Sequence, residues 1–316
     1  ADNFLSKKVY ITGAVAPVGG GKRPEMTVKG IKYEAKNHGE AVGEAYNLPN
    51  LTSYCESCGQ CLFMEWLYQM FRLTGKTEYM DAAERMLYNA TAGCVDLDRP
   101  NFFYCNPQEQ GPRSERPIPK ADNIYSDQLT WKRTSIKNCA CCPPKVMRAF
   151  ALTSTIAYDV NDEGLYVNLY GSNTFSTKLP WGGKLECAQT TDYPWDGNVR
   201  LELTGVSSTR TFSVFLRIPD WVTTPVNISV NGEVVEKAIQ SGSYYPLKRE
   251  WKAGDVIEME FPMPVRIMAA DSRIKDNNGK VSVMRGPVVY VLEDDDIPKG
   301  IEFVSLFMSG GAGLGP

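Results

Sequence analysis

The stretch Cys139-Ala-Cys-Cys-Pro-Pro-Lys-Val-Met-Arg-Ala-Phe-Ala-Leu-Thr-Ser-Thr-Ile-Ala-Tyr-Asp159 separates two textures of sequence. Pro143 or Pro144 opens a helix, where a missing N–H does no harm. Val146, Ala149, Phe150, Thr153, Ile156 and Ala157 then follow i, i+3, i+4 spacing to an end near Tyr158. Upstream, the run from about Glu56 to Leu73 is apolar almost all round, so it reads as a helix buried on more than one side and stopped by Gly75. A second helix is predicted from about Thr77 to Ala92, with Thr77 as N-cap and Tyr79, Ala83, Met86 and Leu87 on one face. Asn101–Asn106 reads as a strand, and 107–137 as a polar loop. Downstream, Leu165–Tyr170, Val199–Leu203, Thr211–Ile218, Val226–Val230 and Val256–Phe261 alternate with period two between turns such as Asn231-Gly and Asn278-Gly. The expected architecture is α+β and multidomain: a helical domain over residues 1–159, then an antiparallel β-sandwich over 160–316. Asp159–Gly164 resembles the start of a calcium loop, but its twelfth position is Tyr170 rather than Glu, so it reads as a helix-to-strand turn.

Three thiols fall in four residues at Cys139, Cys141 and Cys142, just ahead of a helix. A helix N-terminus carries partial positive charge and favours thiolate, which is both nucleophile and metal ligand. Tyr54-Cys-Glu-Ser-Cys-Gly-Gln-Cys61 supplies three more thiols and a carboxylate. Two such clusters suggest one divalent ion, zinc for preference, closed by the fold. Spacing leaves the upstream pair open: Cys55/Cys58, or Glu56/Cys58, each with Cys141/Cys142. Glu56 and Cys58 are i, i+2 and converge only if the helix has barely begun at Glu56. Cys94, Cys105 and Cys187 read as buried, unliganded thiols.

Composition narrows the field. With 43% hydrophobic residues and 22% charged, the chain is a soluble globular type. A formal charge of -3 disfavours a nucleic-acid partner. No run of 18 apolar residues marks a membrane span. His38 is the single histidine, so multi-histidine metal sites are excluded. Nine cysteines in 316 residues fall short of a disulfide scaffold. Unpaired thiols favour a reducing compartment such as a bacterial cytoplasm, and bound zinc would protect them in an oxidising one such as the periplasm, so the compartment stays open. Gly19-Gly-Gly-Lys22 is followed by Arg23 rather than Ser or Thr, so it reads as a flexible loop and not a phosphate loop. The opening Ala1-Asp-Asn-Phe, without methionine, reads as a fragment or processed form, and Met308–Pro316 as a loose or truncated tail.

His38-Gly-Glu-Ala41, Leu48-Pro-Asn50, Tyr54-x-Glu-x-Cys58, Glu84-Arg-x-Leu-Tyr-Asn89, Phe102-Phe-Tyr-x-Asn106 and Cys139-Ala-Cys-Cys-Pro143 form an ordered set. Leu216-Arg-Ile-Pro-x-Trp221, Val230-Asn-Gly232 and Val283-Met-Arg-Gly-Pro287 continue it. The set resembles glycoside hydrolase family 127, the β-L-arabinofuranosidase-type enzymes, over about residues 5 to 295. The resemblance implies a catalytic (α/α)6 barrel, present here as its last part, followed by β-sandwich domains. It implies zinc held by Glu56, Cys58, Cys141 and Cys142, with Cys141 as nucleophile. It implies Glu40 as acid/base, with Glu44 the nearby alternative, and His38, Glu84 and Tyr104 at the sugar. The partner implied is an oligosaccharide or glycoside, attacked with retention through a thioglycosyl intermediate. Two other readings stand beside this one. The same mechanism would serve another rare plant-polysaccharide sugar. A non-catalytic carbohydrate-binding protein with a structural zinc would be expected to recruit Cys55 instead of Glu56.

Overall fold

Helices form where the apolar spacing places them. The computed structural model describes residues 2–16, 26–28, 31–33, 42–51, 53–98, 100–109, 133, 135, 141–208, 210–223, 225–235, 239–293 and 296–301. The predicted sites His38 and Glu40, the 19–22 loop, the 308–316 tail and all but a few residues of the 107–137 loop lie outside these. A short helix α1 (Asp2–Leu5) and a small antiparallel pair, β1 (Met26–Val28) with β2 (Ile31–Tyr33), precede the long helix α2 (Ser57–Thr74). Gly75 ends α2 at φ 68°, and its N–H returns to the Phe71 carbonyl at 2.7 Å. Helix α3 (Thr77–Met86) follows, and α4 (Cys142–Ile156) closes the helical part. Both α3 and α4 pack on α2, which explains why α2 is apolar on several faces.

Several expectations change here. Thr77 is not the N-cap of α3: Lys76 is, and the Thr77 hydroxyl donates to the Gly242 carbonyl at 2.5 Å. The helix does not run unbroken to Ala92, because Leu87–Thr91 widens to a π turn and Ala92–Cys94 tightens to a 3-10 turn. Within that turn Asn89 donates to the Pro287 carbonyl at 2.9 Å and accepts from Val289 N–H at 2.7 Å, so a tertiary contact sits where the helix geometry departs. Residues 101–106 form isolated bridges, Val95 with Phe102 and Glu56 with Cys105, rather than a strand. Residues 159–164 are not a helix-to-strand turn but the tip of a hairpin between β3 (Tyr158–Asn161) and β4 (Gly164–Val167). Asn161 Oδ1 accepts from Glu163 N–H at 2.9 Å to shape it. A side chain at Gly164, φ 155°, would overlap the Ser213 carbonyl.

The alternating segments are strands: β5 (Asn173–Lys178), β6 (Lys184–Thr191), β7 (Asn198–Val206), β8 (Phe212–Ile218), β9 (Asn227–Val230), β10 (Glu233–Val234), β11 (Ser243–Arg249) and β12 (Val256–Glu260). They build a six-stranded sheet ordered β10-β9-β12-β7-β6-β5 and a four-stranded sheet ordered β11-β8-β4-β3. Leu185, Leu201, Leu203 and Ile257 of the first share a buried core with Val167, Val214, Leu216 and Ile218 of the second. The expected all-antiparallel pattern is broken once: β4 pairs parallel with β8, Leu165 opposite Val214. Between them the chain spends β5, β6 and β7 in the other sheet and crosses back, as parallel neighbours require. A third antiparallel sheet, β13 (Val265–Ala269), β14 (Val281–Arg285) and β15 (Val288–Tyr290), completes the described chain. Among the described residues no helix is long and apolar enough to cross a membrane.

A buried ion cluster joins helices to sheet. Arg217 of β8 is fully buried and meets Asp81 and Glu84 of α3. Tyr193 donates to Glu84 Oε1 at 2.7 Å and Trp221 to Oε2 at 3.3 Å, whereas no donor among the described residues reaches Asp81 Oδ2. Burial therefore pushes Asp81 up to about 7, with Arg217 opposing it. A raised folded-state value contributes stability below about pH 4, the unfolded value, that is lost as pH rises to about 7. The stability difference between the native chain and Asp81→Asn is thus expected to shift against the native chain from pH 4 to pH 7. Denaturant titrations at both pH values check it, and a constant difference counts against it.

Candidate functional site

The two sulfur-bearing segments meet. Cys55 adopts a left-handed backbone, φ 43°, and its side chain is fully buried. Its carbonyl accepts from Asn106 N–H at 3.1 Å, and Ser57 N–H donates to the Tyr104 carbonyl at 2.9 Å. These bonds tie residues 55–57 to 104–106 and hold Glu56 extended, at φ -59° and ψ 135°, as the cap before α2. The helix begins only at Ser57, so Glu56 and Cys58 turn toward one point despite their i, i+2 spacing. From the other side Cys141 caps α4 and Cys142 is its first residue, with prolines filling the first turn.

The donor atoms of Glu56, Cys58, Cys141 and Cys142 all lie within 4.8 Å of one another. Cys58 and Cys142 sulfurs are 3.6 Å apart, and Cys141 and Cys142 sulfurs 3.8 Å. Glu56 Oε1 is 3.6 Å from both Cys141 and Cys142. A tetrahedral zinc-type ion with bonds of about 2.3 Å to sulfur and about 2.1 Å to oxygen spans edges of about 3.8 Å between sulfurs and about 3.6 Å between sulfur and oxygen. The donor set fits one such ion in both chemistry and size. Cys55 is not part of it, so of the two ligand sets that spacing allowed, the structure gathers the one with Glu56.

The surroundings grade the sulfurs. Cys142 is fully buried, while Cys58 and Cys141 are half-buried. The hydrogen bond between Cys58 and Cys142 holds Cys58 below the ordinary thiol value. The same bond, with burial second, holds Cys142 above it. Burial pushes Cys61 up to about 12, Cys94 up to about 11 and Cys187 up to about 12, which keeps these as neutral, inert thiols. Tyr104, half-buried, sets its hydroxyl 3.6 Å from the Cys141 sulfur.

Other predicted residues lie elsewhere. Glu84 is 1% exposed and sits in the Arg217 cluster, with both carboxylate oxygens hydrogen-bonded there. Glu44 is exposed on the 42–51 segment. One contributor escaped the sequence reading: Tyr54 donates to Glu56 Oε2 at 3.0 Å, which leaves Oε1 aimed at the sulfurs. Its own hydroxyl is pushed well above the ordinary tyrosine range by burial, with Cys105 and Glu56 adding to it. The signal was present, because in an extended segment residues i and i+2 share a side. Such outer partners orient a ligand.

Comparison with known proteins follows the same line. The family model described as beta-L-arabinofuranosidase, GH127 catalytic domain, matches residues 1–155. The GH127 middle domain matches 164–263, and the glycoside hydrolase family 127 C-terminal domain matches 265–309. A non-reducing end beta-L-arabinofuranosidase of Bifidobacterium longum subsp. longum is 29% identical over 300 residues, 94% of this chain and 41% of that protein. Among solved structures, a glycoside hydrolase superposes with TM-score 0.76 at 33% identity, covering 91% of this chain and 46% of its own. A GH127 beta-L-arabinofuranosidase from Geobacillus stearothermophilus T6 gives 0.75 at 32%, covering 91% and 41%. The chain thus spans less than half the length of these relatives. Three successive domain models of one family, with a cluster of one glutamate and three cysteines at the junction of its helices, place this chain in glycoside hydrolase family 127.

Proposed function

We propose that this chain is the zinc-binding and nucleophile-bearing part of a retaining glycosidase acting on β-L-arabinofuranosides of plant glycans or glycoproteins. Residues 1–159 are read as the last part of an (α/α)6 barrel and 160–316 as the β-sandwich part. Glu56, Cys58, Cys141 and Cys142 would hold the zinc. Bound there, zinc supplies an ionised thiolate at neutral pH and a sulfur of lowered basicity.

The chain's own residues carry the steps. Cys141 Sγ attacks the anomeric carbon while Glu40 gives its proton to the departing glycosidic oxygen. Glu40, now a carboxylate, takes a proton from water, whose oxygen attacks the same carbon as the carbon–sulfur bond breaks. Two inversions give net retention. Tyr104 steadies the Cys141 sulfur, and His38, Tyr104 and Glu84 are assigned to the sugar. For Glu84 the assignment requires the carboxylate to serve the Arg217 cluster and a sugar hydroxyl together.

The observation that carries this reading is the set of tetrahedral edges among Glu56, Cys141 and Cys142, with the half-exposed Cys141 beside Tyr104. The test is metal analysis with an aryl-glycoside panel on a chain long enough to hold the whole family catalytic domain. We expect about one zinc per chain, lost in Glu56→Ala/Cys142→Ala, and hydrolysis confined to β-L-arabinofuranosides. Full hydrolysis by that metal-free double variant would end the proposal.

A further inference from the structure

The extended segment ahead of α2 is pinned by its backbone. Cys55 N–H donates to the Ala16 carbonyl at 3.0 Å, and the Cys55 carbonyl accepts from Asn106 N–H at 3.1 Å. Ser57 N–H donates to the Tyr104 carbonyl at 2.9 Å, Ser57 Oγ donates to the Phe103 carbonyl, and Glu56 pairs with Cys105 as an antiparallel bridge. The Glu56 carbonyl accepts from Gln60 N–H at 3.2 Å. The Gln60 side chain in turn accepts from Val15 N–H at 3.0 Å and donates to the Val15 carbonyl at 3.3 Å. None of these bonds uses the Tyr54 hydroxyl.

That hydroxyl donates to Glu56 Oε2 at 3.0 Å. Tyr54 is 7% exposed and Glu56 6%, so the bond forms where water competes little for it. Glu56 Oε1 lies 3.6 Å from the Cys141 sulfur and 3.6 Å from that of Cys142. One carboxylate oxygen therefore meets the sulfurs and the other meets a phenol. A carboxylate with both oxygens open binds a cation through one of them or through both. Three thiolates and a carboxylate also bring four negative charges to one divalent ion, and a donor on the outer oxygen relieves part of that excess. Pro143 and Pro144 remove two of the N–H groups that the start of α4 would otherwise offer.

We propose that Tyr54 is a positioning residue for the metal: its hydroxyl holds Oε2, so that Glu56 binds through Oε1 alone and the site stays four-coordinate. This rests on the reading of Glu56, Cys58, Cys141 and Cys142 as zinc ligands. Without the phenol, the carboxylate is free to rotate and to offer both oxygens. Because the backbone bonds remain, Tyr54→Phe confines the change to one hydroxyl and its acceptor.

The test uses a chain long enough to hold the whole family catalytic domain, loaded with zinc or cobalt alone. Tyr54→Phe is expected to bind zinc about 10- to 100-fold more weakly in competition with a chromogenic chelator. In Glu56→Ala, where three sulfurs remain as ligands, adding Tyr54→Phe should change affinity less than about twofold. A merely structural tyrosine would cost the same in both backgrounds. The cobalt-loaded native chain should show the intense visible bands of a tetrahedral ion, and Tyr54→Phe weaker ones as a second carboxylate oxygen joins. Equal losses in the two backgrounds, no loss, or an unchanged cobalt spectrum would overturn the proposal. A native chain that binds neither ion overturns the metal reading, and the proposal with it. A native chain that binds both, without coupling between Tyr54 and Glu56, overturns the proposal alone. Should Tyr54→Phe not fold, the infrared difference between zinc-loaded and metal-free native chain decides. The wide carboxylate band separation of one-oxygen ligation supports the proposal, and the narrow separation of two-oxygen ligation overturns it.

Discussion

Cys141→Ser is expected to lower kcat by more than about 10⁴-fold while the chain stays folded. The magnitude follows from the chemistry of one atom. A serine hydroxyl beside Glu56 Oε1 and Tyr104 would face the same carbon, but it ionises far less readily than a thiol. Oxygen is also a poorer leaving atom when the intermediate breaks down. Folding should survive, because Cys141 is half-exposed at the start of α4, whereas Cys142 is enclosed. The measurement is single-turnover hydrolysis on a chain carrying the whole family catalytic domain, with zinc counted in the same sample. Hydrolysis within tenfold of the native rate would remove Cys141 from the role of nucleophile. Zinc retained by Glu56, Cys58 and Cys142 with hydrolysis gone separates nucleophile from ligand.

How much of this was legible in the sequence depends on whether a local pattern carried it. The i, i+3, i+4 spacing reports a buried face, and α4 buries Val146, Ala149 and Ile156 of it, while Phe150, expected on the same face, is exposed. Period-two runs such as Val199–Leu203 report a half-covered sheet, and β7 alternates as expected. The choice between Cys55 and Glu56 was not local. It turns on the left-handed backbone at Cys55 and on bonds from Cys55 and Ser57 to Asn106 and Tyr104, which are distant in sequence. Likewise nothing near Leu165 foretells a parallel neighbour, since the pairing of β4 with β8 depends on three intervening strands joining another sheet. The hydrogen bonds that Asn50 donates to Asp276 and Asn277 were equally hidden, because those partners lie more than 220 residues away.

Arg217 is the lone charge in the run Phe212–Ile218, a signal the sequence reading passed over, and its meaning comes only with the fold. Phe212, Val214, Leu216 and Ile218 are buried on one side of β8, while Arg217 turns to the other, toward α3. There one guanidinium answers two carboxylates, and its Nε donates to the Asn168 carbonyl at 2.5 Å. Arg217→Met keeps the length and removes the charge, leaving Asp81 and Glu84 enclosed without their cation. Removing one partner of a buried pair costs about 3–5 kcal/mol, and that loss is expected here at pH 7. The pH dependence gives the sign. Without the guanidinium, Asp81 is raised further above its unfolded value, so the variant binds a proton on folding. Its stability should therefore recover as pH falls from 7 toward 5 and worsen as pH rises. The variant Asp81→Asn/Glu84→Gln/Arg217→Met, with no buried charge left, should regain much of the loss and lose the pH slope. Urea unfolding of the three proteins across that range is the measurement. A loss below about 1 kcal/mol for Arg217→Met would mean that the cluster is hydrated rather than enclosed, and that the helical and sheet parts are joined chiefly by their apolar contacts.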